Sequence, residues 1–167
     1  LSRERENMKL SNSFIQAIGV VVMLAELPEK ETLKSSEISS RMGTSPSYLL
    51  KIAKKLKDAD ILCSEASKRG GYSLKKPVDQ ISFLDIFDAI ESENSFFDGL
   101  NFKIFYKMFL TQNIIAKKGK ILRSILGDAE EEYRNKLSQH FIVELVPTNP
   151  DGSLVEINWR TIIEEKN

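Results

Sequence analysis

Cysteine is nearly missing from this chain, with one thiol, Cys63, in 167 residues. A single cysteine makes no internal disulfide, so a disulfide-stapled secreted domain is excluded and a reducing, cytoplasmic setting is expected. Histidine is as scarce, with His140 alone. A His/Cys metal centre therefore has no ligand set, and no metal and no cofactor are expected. Long apolar runs are absent too. Residues 18–25 fall well short of the ~18 apolar residues of a membrane span, and they sit inside a longer helical pattern that is no signal peptide. A phosphate-binding loop is missing, because Gly70-Gly71 lacks the lysine spacing. The acid pair Asp85/Asp88 has no visible partner across a cleft, so the chain is not read as an enzyme. What remains is 41% hydrophobic and 29% charged, the make-up of a folded soluble protein.

Net charge is zero, but it is unevenly spread. Residues 8–80 carry 12 Lys/Arg against 8 Asp/Glu, and residues 81–167 carry 10 against 14. A basic first half suggests a polyanionic partner there. Residues 1–7 precede Met8 and are set apart as an N-terminal extension or expression remnant.

Leu10, Phe14, Ala17/Ile18, Val21/Val22 and Ala25 recur every three or four positions, the period of a helix with one buried face. Ser11 or Asn12 caps it and Pro28 follows its end. Lys9, Ser11 and Asn12 fall at an exposed helix start, where backbone N–H groups beside a lysine can hold a phosphate. A short helix then starts at Ser35 or Ser36, turns Ile38 and Met42 inward, and ends at Gly43. Ser45 is a good N-cap and Pro46 fits the first helical position of the next helix, which runs to about Ala59. Leu49, Ile52, Ala53 and Leu56 make its buried stripe. Its outer face keeps Ser47, Tyr48, Leu50, Lys51, Lys54 and Lys55.

Two short helices joined by a glycine turn form either a helix-turn-helix unit or an ordinary helical hairpin, and this segment alone does not choose. The next one does. Residues 61–65 read as a strand, 66–71 as a turn and 72–74 as the returning strand. Gly70-Gly71 is expected to supply backbone angles that other residues resist. A hairpin carrying Lys68 and Arg69 near its tip, directly after the second helix, reads as a wing. The predicted fold class is mainly α with a small β-hairpin wing: a winged helix-turn-helix domain plus a long C-terminal dimerisation helix. The DNA-contacting set is Lys9, Ser11, Ser45, Ser47, Tyr48, Lys51, Lys54, Lys55, Lys68 and Arg69. Leu50 either meets a thymine methyl or faces solvent.

Several segments resemble the Rrf2 family of bacterial transcription regulators. They are Met8-Lys9-Leu10-Ser11, the stretch from Glu37 to Leu49, Leu56 to Leu62, Gly70-Gly71-Tyr72-Ser73-Leu74, and the isoleucine-rich run from Ile81 to Glu91. The resemblance covers residues 8–92. It implies a homodimer on a near-palindromic double-stranded DNA operator, recognition helices in successive major grooves, wings at the flanking minor grooves, and a long helix that crosses its twin. It also implies, for many members, an iron–sulfur cluster on three cysteines after the helix ending at Glu91. No cysteine follows Cys63 here, so the cluster is rejected and a cluster-free member is expected. Asp60 stands where the family usually has glycine, and Asp tolerates the left-handed conformation that turn requires. Ala66-Ser67 replace the arginine and glycine often found early in the wing, leaving Lys68 or Arg69 to do the arginine's work.

Beyond residue 80, a helix is expected over about 81–92, with Ser82 as N-cap and Asp85 three residues on. Residues 93–146 are assigned to dimerisation. Their aromatic first part is read as cover for a dimer interface or, alternatively, as a pocket of Phe102, Phe105, Tyr106 and Phe109 for an unknown small-molecule effector. A long helix over 114–145, weakened at Gly119 and Gly127, should present Leu122, Ile125, Leu126, Ala129, Tyr133 and Leu137 to a partner. The acidic run at 128–132 is read as a solvated face. Residues 147–167 turn at Pro147–Gly152 and are too apolar for a free tail, so they should pack back on the body, either on this chain or on its twin. Cys63 reads as a half-buried strand residue or, alternatively, as a redox switch beside Lys68 and Arg69, and His140 as an ordinary interface or surface residue. Transcription regulation, with repression as its mode, is the expected function. A protein-interaction module and a small-molecule sensor built on residues 96–109 are the alternatives.

Overall fold

The computed structural model describes residues 10–91 and 95–165. Lys9 and residues 1–7 lie outside the described residues. The chain divides into two compact units, one built from residues up to 92 together with 138 onward, the other from residues 93–137.

In the first unit the helical periodicity becomes α1, Asn12–Ala25, with Phe14, Ala17, Ile18, Val20, Val21, Met23 and Leu24 buried. Helix α2, Ser35–Met42, ends at Gly43 with φ 66°. Helix α3, Pro46–Asp58, follows at once. Strands β1, Leu62–Glu65, and β2, Gly71–Leu74, pair antiparallel, with Leu62 opposite Leu74 and Glu65 opposite Gly71. Asp60 takes φ 59°, in the turn that follows α3. Helix α4, Phe83–Glu91, opens on a reciprocal capping box: Asp85 N–H donates to Ser82 Oγ at 3.0 Å, and Ser82 N–H donates to Asp85 Oδ2 at 2.8 Å. The Phe14 and Phe87 rings meet edge-on at 6.3 Å, tying α1 to α4.

One expectation for this unit needs correction. Gly70 and Gly71 do not take positive φ. They are glycines because a Cβ would not fit: at Gly70 it would lie 2.0 Å from the Glu65 carbonyl oxygen, and at Gly71 2.4 Å from that of Leu33. The reason for the second contact is a strand-like partner that alternation alone did not reveal. Leu33 and Tyr72 exchange backbone hydrogen bonds of 3.1 and 2.7 Å, so residue 33 adds an outer rung to the wing.

The long helix is also shorter than expected. It stops at Ser138, not near 145, because the residues after it are needed in the core. Phe83 N–H donates to the His140 carbonyl at 2.9 Å, Ile142 N–H donates to the Ile81 carbonyl at 2.8 Å, and Ile142 and Val146 are buried. The tail turns at Gly152 (φ 87°) and ends in α7, Trp159–Glu164. It packs on this chain's own first unit. Ile157 N–H donates to the Glu26 carbonyl at 2.6 Å, and the Trp159 indole N–H donates to Glu26 Oε2 at 3.0 Å. Arg160 pairs with Glu37, Nε to Oε1 at 2.7 Å and Nη2 to Oε2 at 3.2 Å.

The second unit contains α5, Phe102–Tyr106, and α6, Gln112–Ser138. Gly119, expected as a weak point, is the buried residue of α6, because the Tyr106 ring would lie 3.0 Å from a Cβ there. Arg123 completes the attachment: its guanidinium lies 4.1 Å from the Phe102 ring centre and donates to the Tyr106 hydroxyl at 2.8 Å. Glu130 is not simply solvated. It accepts from Ser95 Oγ at 2.7 Å, while the Phe96 ring meets Tyr133 edge-on at 5.2 Å.

The buried carboxyls titrate in opposite senses. Burial pushes Glu26 up, and the Trp159 hydrogen bond offsets only part of this. The folded chain thus holds that proton more tightly than the unfolded chain, and stability falls as pH rises from the ordinary carboxylate range through the raised value. Burial also acts to raise Glu37, but the bonds and charge of Arg160 and the Lys34 N–H outweigh it and hold the carboxyl below its usual range. Its contribution is present above the ordinary carboxylate range and lost as pH falls through the depressed value. Two outcomes follow. Glu26→Gln should be more stable than the parent at pH 7 in thermal unfolding, with the difference vanishing at pH below the ordinary carboxylate range; a less stable variant at pH 7 contradicts this. Gly71→Ala should lower stability by about 2 kcal/mol in urea unfolding, because the Leu33 backbone blocks the new methyl; an unchanged midpoint would count against the close approach.

Candidate nucleic-acid interface

The orientation of α3 is set by its apolar stripe. Leu49, Ile52, Ala53 and Leu56 are almost wholly buried, and each fully buried Leu or Ile contributes about 1.5–3 kcal/mol. Rolling the helix would expose them. The opposite face must therefore point outward, and Ser47, Leu50, Lys51 and Lys54 are exposed on it. Leu50 keeps 48% of its surface. The helix start is built as its sequence suggests: Pro46 occupies the first turn, and Ser45 Oγ accepts from Tyr48 N–H at 3.2 Å. Ser47 Oγ lies 3.4 Å from Ser45 Oγ, so two hydroxyls sit together at the N-terminal end. The wing turn follows, with Lys68 and Arg69 exposed.

Not every residue of the expected set is free to face outward. Ser11 was expected to help hold a phosphate at the start of α1. Instead its N–H and hydroxyl both donate to Glu91 Oε1, at 2.9 and 2.6 Å. A carboxylate from α4 occupies the place where an anion would bind, and it satisfies the helix start itself. The Tyr48 hydroxyl is hydrogen-bonded to Ser13 Oγ, which ties α3 to α1. Lys55 donates to the Ile90 carbonyl at 3.0 Å, capping the end of α4. Lys54 lies 2.7 Å from Asp58, but both remain largely exposed, so the pair is weak and easily exchanged. Lys57, which the sequence did not single out, donates to Ser64 Oγ at 2.7 Å and joins α3 to β1. Its only signal was its place one turn beyond Lys54.

The four suggested pocket residues do come together in part. Phe105 meets Tyr106 and Phe109 edge-on at 6.0 and 5.2 Å, and the rings stay half exposed. Arg123 adds contacts to two of the four, Phe102 and Tyr106. An open groove of about 640 Å³ occurs in the first unit, lined by Leu24, Leu74, Pro77, Val78, Val143 and Leu154 among others. On α6 the suggested interface residues Leu122, Leu126, Tyr133 and Leu137 are half buried, while Ile125 and Ala129 are exposed.

A capped, amphipathic second helix after a glycine turn, with a basic-tipped hairpin behind it, defines a winged helix-turn-helix DNA-binding protein. Comparison with known proteins carries this further. Residues 10–148 match the model of the Rrf2 family, described as iron-dependent transcriptional regulators. The chain is 40% identical over 131 residues to a Lactococcus lactis protein named as the HTH-type transcriptional regulator YffB, covering 78% of this chain and 79% of that one. It is 29% identical over 132 residues to Bacillus subtilis YwgB, likewise named as an HTH-type regulator, covering 79% and 80%. Similar solved folds include CymR, the global cysteine regulator of B. subtilis, with TM-score 0.58 and 20% identity over 83% of this chain and 95% of that one. Another is IscR of T. potens, with TM-score 0.59 and 17% identity over 83% and 85%. The chain belongs to the Rrf2 family: it is a DNA-binding transcriptional regulator and not an enzyme.

The iron in the family's description does not fit the donors present. The one cysteine, Cys63, is half buried on β1 with Sγ 3.1 Å from Ser73 Oγ, and the one histidine, His140, pairs with Glu144 at 3.0 Å. Among the described residues no three of His, Cys, Asp and Glu converge. Nor is any helix among them long and apolar enough to cross a membrane. Ser45→Ala should cost about 1 kcal/mol of stability by removing the α3 cap, read in thermal unfolding at neutral pH; no loss would mean that the cap is not formed.

Proposed function

We propose that the chain acts as a homodimeric repressor on a near-palindromic operator. The carrying observation is the outward face of α3, with Ser47, Lys51 and Lys54 exposed opposite a fully buried stripe and the exposed wing tip Lys68 and Arg69 on the same unit. In this reading the N-terminal end of α3, with the Ser45 and Ser47 hydroxyls, enters the major groove. Lys51 and Lys54 neutralise phosphates, and the wing tip lies along the flanking backbone or minor groove. Leu50 is placed to meet a thymine methyl. Ser11, Tyr48 and Lys55 keep the structural roles described above and contribute by holding α3 in place; Lys9 completes the basic set. A regulator working on the chromosome would act in the cytoplasm.

The second unit supports the dimer. Of the 27 residues of α6 only Gly119 is buried, and Ile114, Ile121 and Ile125 keep 41–59% of their surface. Ile104, Met108 and Leu110 add further exposed apolar area. A helix that leaves its apolar stripe uncovered in one chain is stabilised by a second copy. Two-fold symmetry in the protein then calls for a matching symmetry in the operator. Repression follows if the dimer covers a promoter.

Lys51→Ala with Lys54→Ala should weaken binding to all DNA sequences and reduce the slope of affinity against salt by about two, measured by fluorescence anisotropy. Unchanged affinity at moderate salt would sink the placement of α3. Ile121→Asp with Ile125→Asp should halve the solution mass in light scattering, and a persisting dimer would refute the α6 interface.

A further inference from the structure

We propose that Arg160, on a helix beyond residue 148 where the family match ends, is a positioning residue for DNA recognition that sets the wing against the helix-turn-helix. The proposal rests on the reading that α3 and the wing meet DNA. Two observations carry it. First, one guanidinium holds two elements at once. It grips Glu37, in the first turn of α2, through both carboxylate oxygens at 2.7 and 3.2 Å, and its Nη2 also donates to the Thr32 carbonyl at 3.0 Å. Second, residues 32 and 33 support the wing along its β2 edge. The Thr32 hydroxyl donates to the Arg69 carbonyl at 2.9 Å, and Leu33 exchanges two backbone bonds with Tyr72.

The wing needs such a support. Two strands of four residues do not fix a hairpin by themselves. The direction in which Lys68 and Arg69 point therefore depends on where residues 32–33 are held, and these residues have the start of α2 on one side and Arg160 on the other. The grip is well made for this. Glu37 also accepts from Lys34 N–H at 2.7 Å, and the Arg160 and Glu37 side chains are only 24% and 18% exposed. The neighbouring Trp159 anchors the same helix, with its ring 4.9 Å from the Arg41 guanidinium and its indole on Glu26. A lysine could reach one carboxylate oxygen but lacks the planar fork that spans Glu37 and Thr32 together.

The test uses the full chain, a genomic fragment that the parent protein retains from its own genome, and a random-sequence duplex of equal length. Arg160→Ala should lower the preference for the retained fragment over the random duplex by about tenfold, the size expected of a residue that biases a site without touching the ligand. Arg160→Lys should fall between the two, and it carries the test if the alanine variant does not fold. Hydrogen exchange should quicken at the Leu33 and Tyr72 amides while the central amides of α1 and α4 keep their protection. An unchanged preference in a folded variant overturns the proposal. So does a uniform loss of protection across α1, α4 and the wing with the preference intact, because that describes a merely structural residue. If the parent chain prefers no fragment over the random duplex, the DNA-reading assignment itself fails and takes this proposal with it; a parent that does prefer one leaves only the role of Arg160 in question.

Discussion

The face that α3 turns outward depends on the rotation of that one helix. Leu49, Ile52, Ala53 and Leu56 lie on a single stripe of α3, and all four are sealed into the core. Turning α3 by one residue, about 100°, would bring at least one large side chain into water at a cost of a few kcal/mol. The outward face is thus chosen by what faces inward. Ser47, Leu50, Lys51 and Lys54 are outside because the alternatives are worse. The neighbouring bonds hold the same rotation: Tyr48 on Ser13, Lys55 on the end of α4, and Lys57 on β1. Three polar residues of α3 thus act as guy-lines, and Ser47, Leu50, Lys51 and Lys54 stay exposed.

The wing obeys a similar constraint at closer range. Gly70 and Gly71 allow backbone to lie against backbone at the distances where a methyl group would collide. That contact brings residue 33 alongside β2 and turns an isolated hairpin into a three-membered edge. Helix α3 and the wing are joined directly by Lys57 on Ser64, but the wing also has a support of its own at residues 32 and 33. The residue joining that support to α2 comes from the far end of the chain, where α7 packs on α2.

Much of this was legible in the sequence, and what was not shares one physical cause. Helix starts and stops are local: Ser45 with Pro46, Gly43, Asp60 and the Ser82/Asp85 pair each announce themselves within four residues, and each is found in place. The buried stripe of α3 follows from a period of 3.6; that of α1 does so only in part, since Leu10 lies exposed before the helix while Val20, Met23 and Leu24 join the core. Contacts between residues far apart in sequence have no such signature. Ser11 meets Glu91 across 80 positions and Arg160 meets Glu37 across 123. Helix propensity alone could not end α6 at Ser138, because the competing gain, burial of Ile142 and Val146, is tertiary. The reason for Gly70-Gly71 was hidden likewise, since a glycine required by a crowded neighbour looks the same in sequence as one required by φ.

The most direct measurement of the whole account is a hydroxyl-radical footprint of the full chain on a genomic fragment it retains. A dimer presenting two copies of α3 should protect two half-sites related by a two-fold axis, with centres about one helical turn, roughly 34–36 Å, or a whole multiple of it apart. Protection of a single short stretch without a symmetric mate, or none at all, would contradict it.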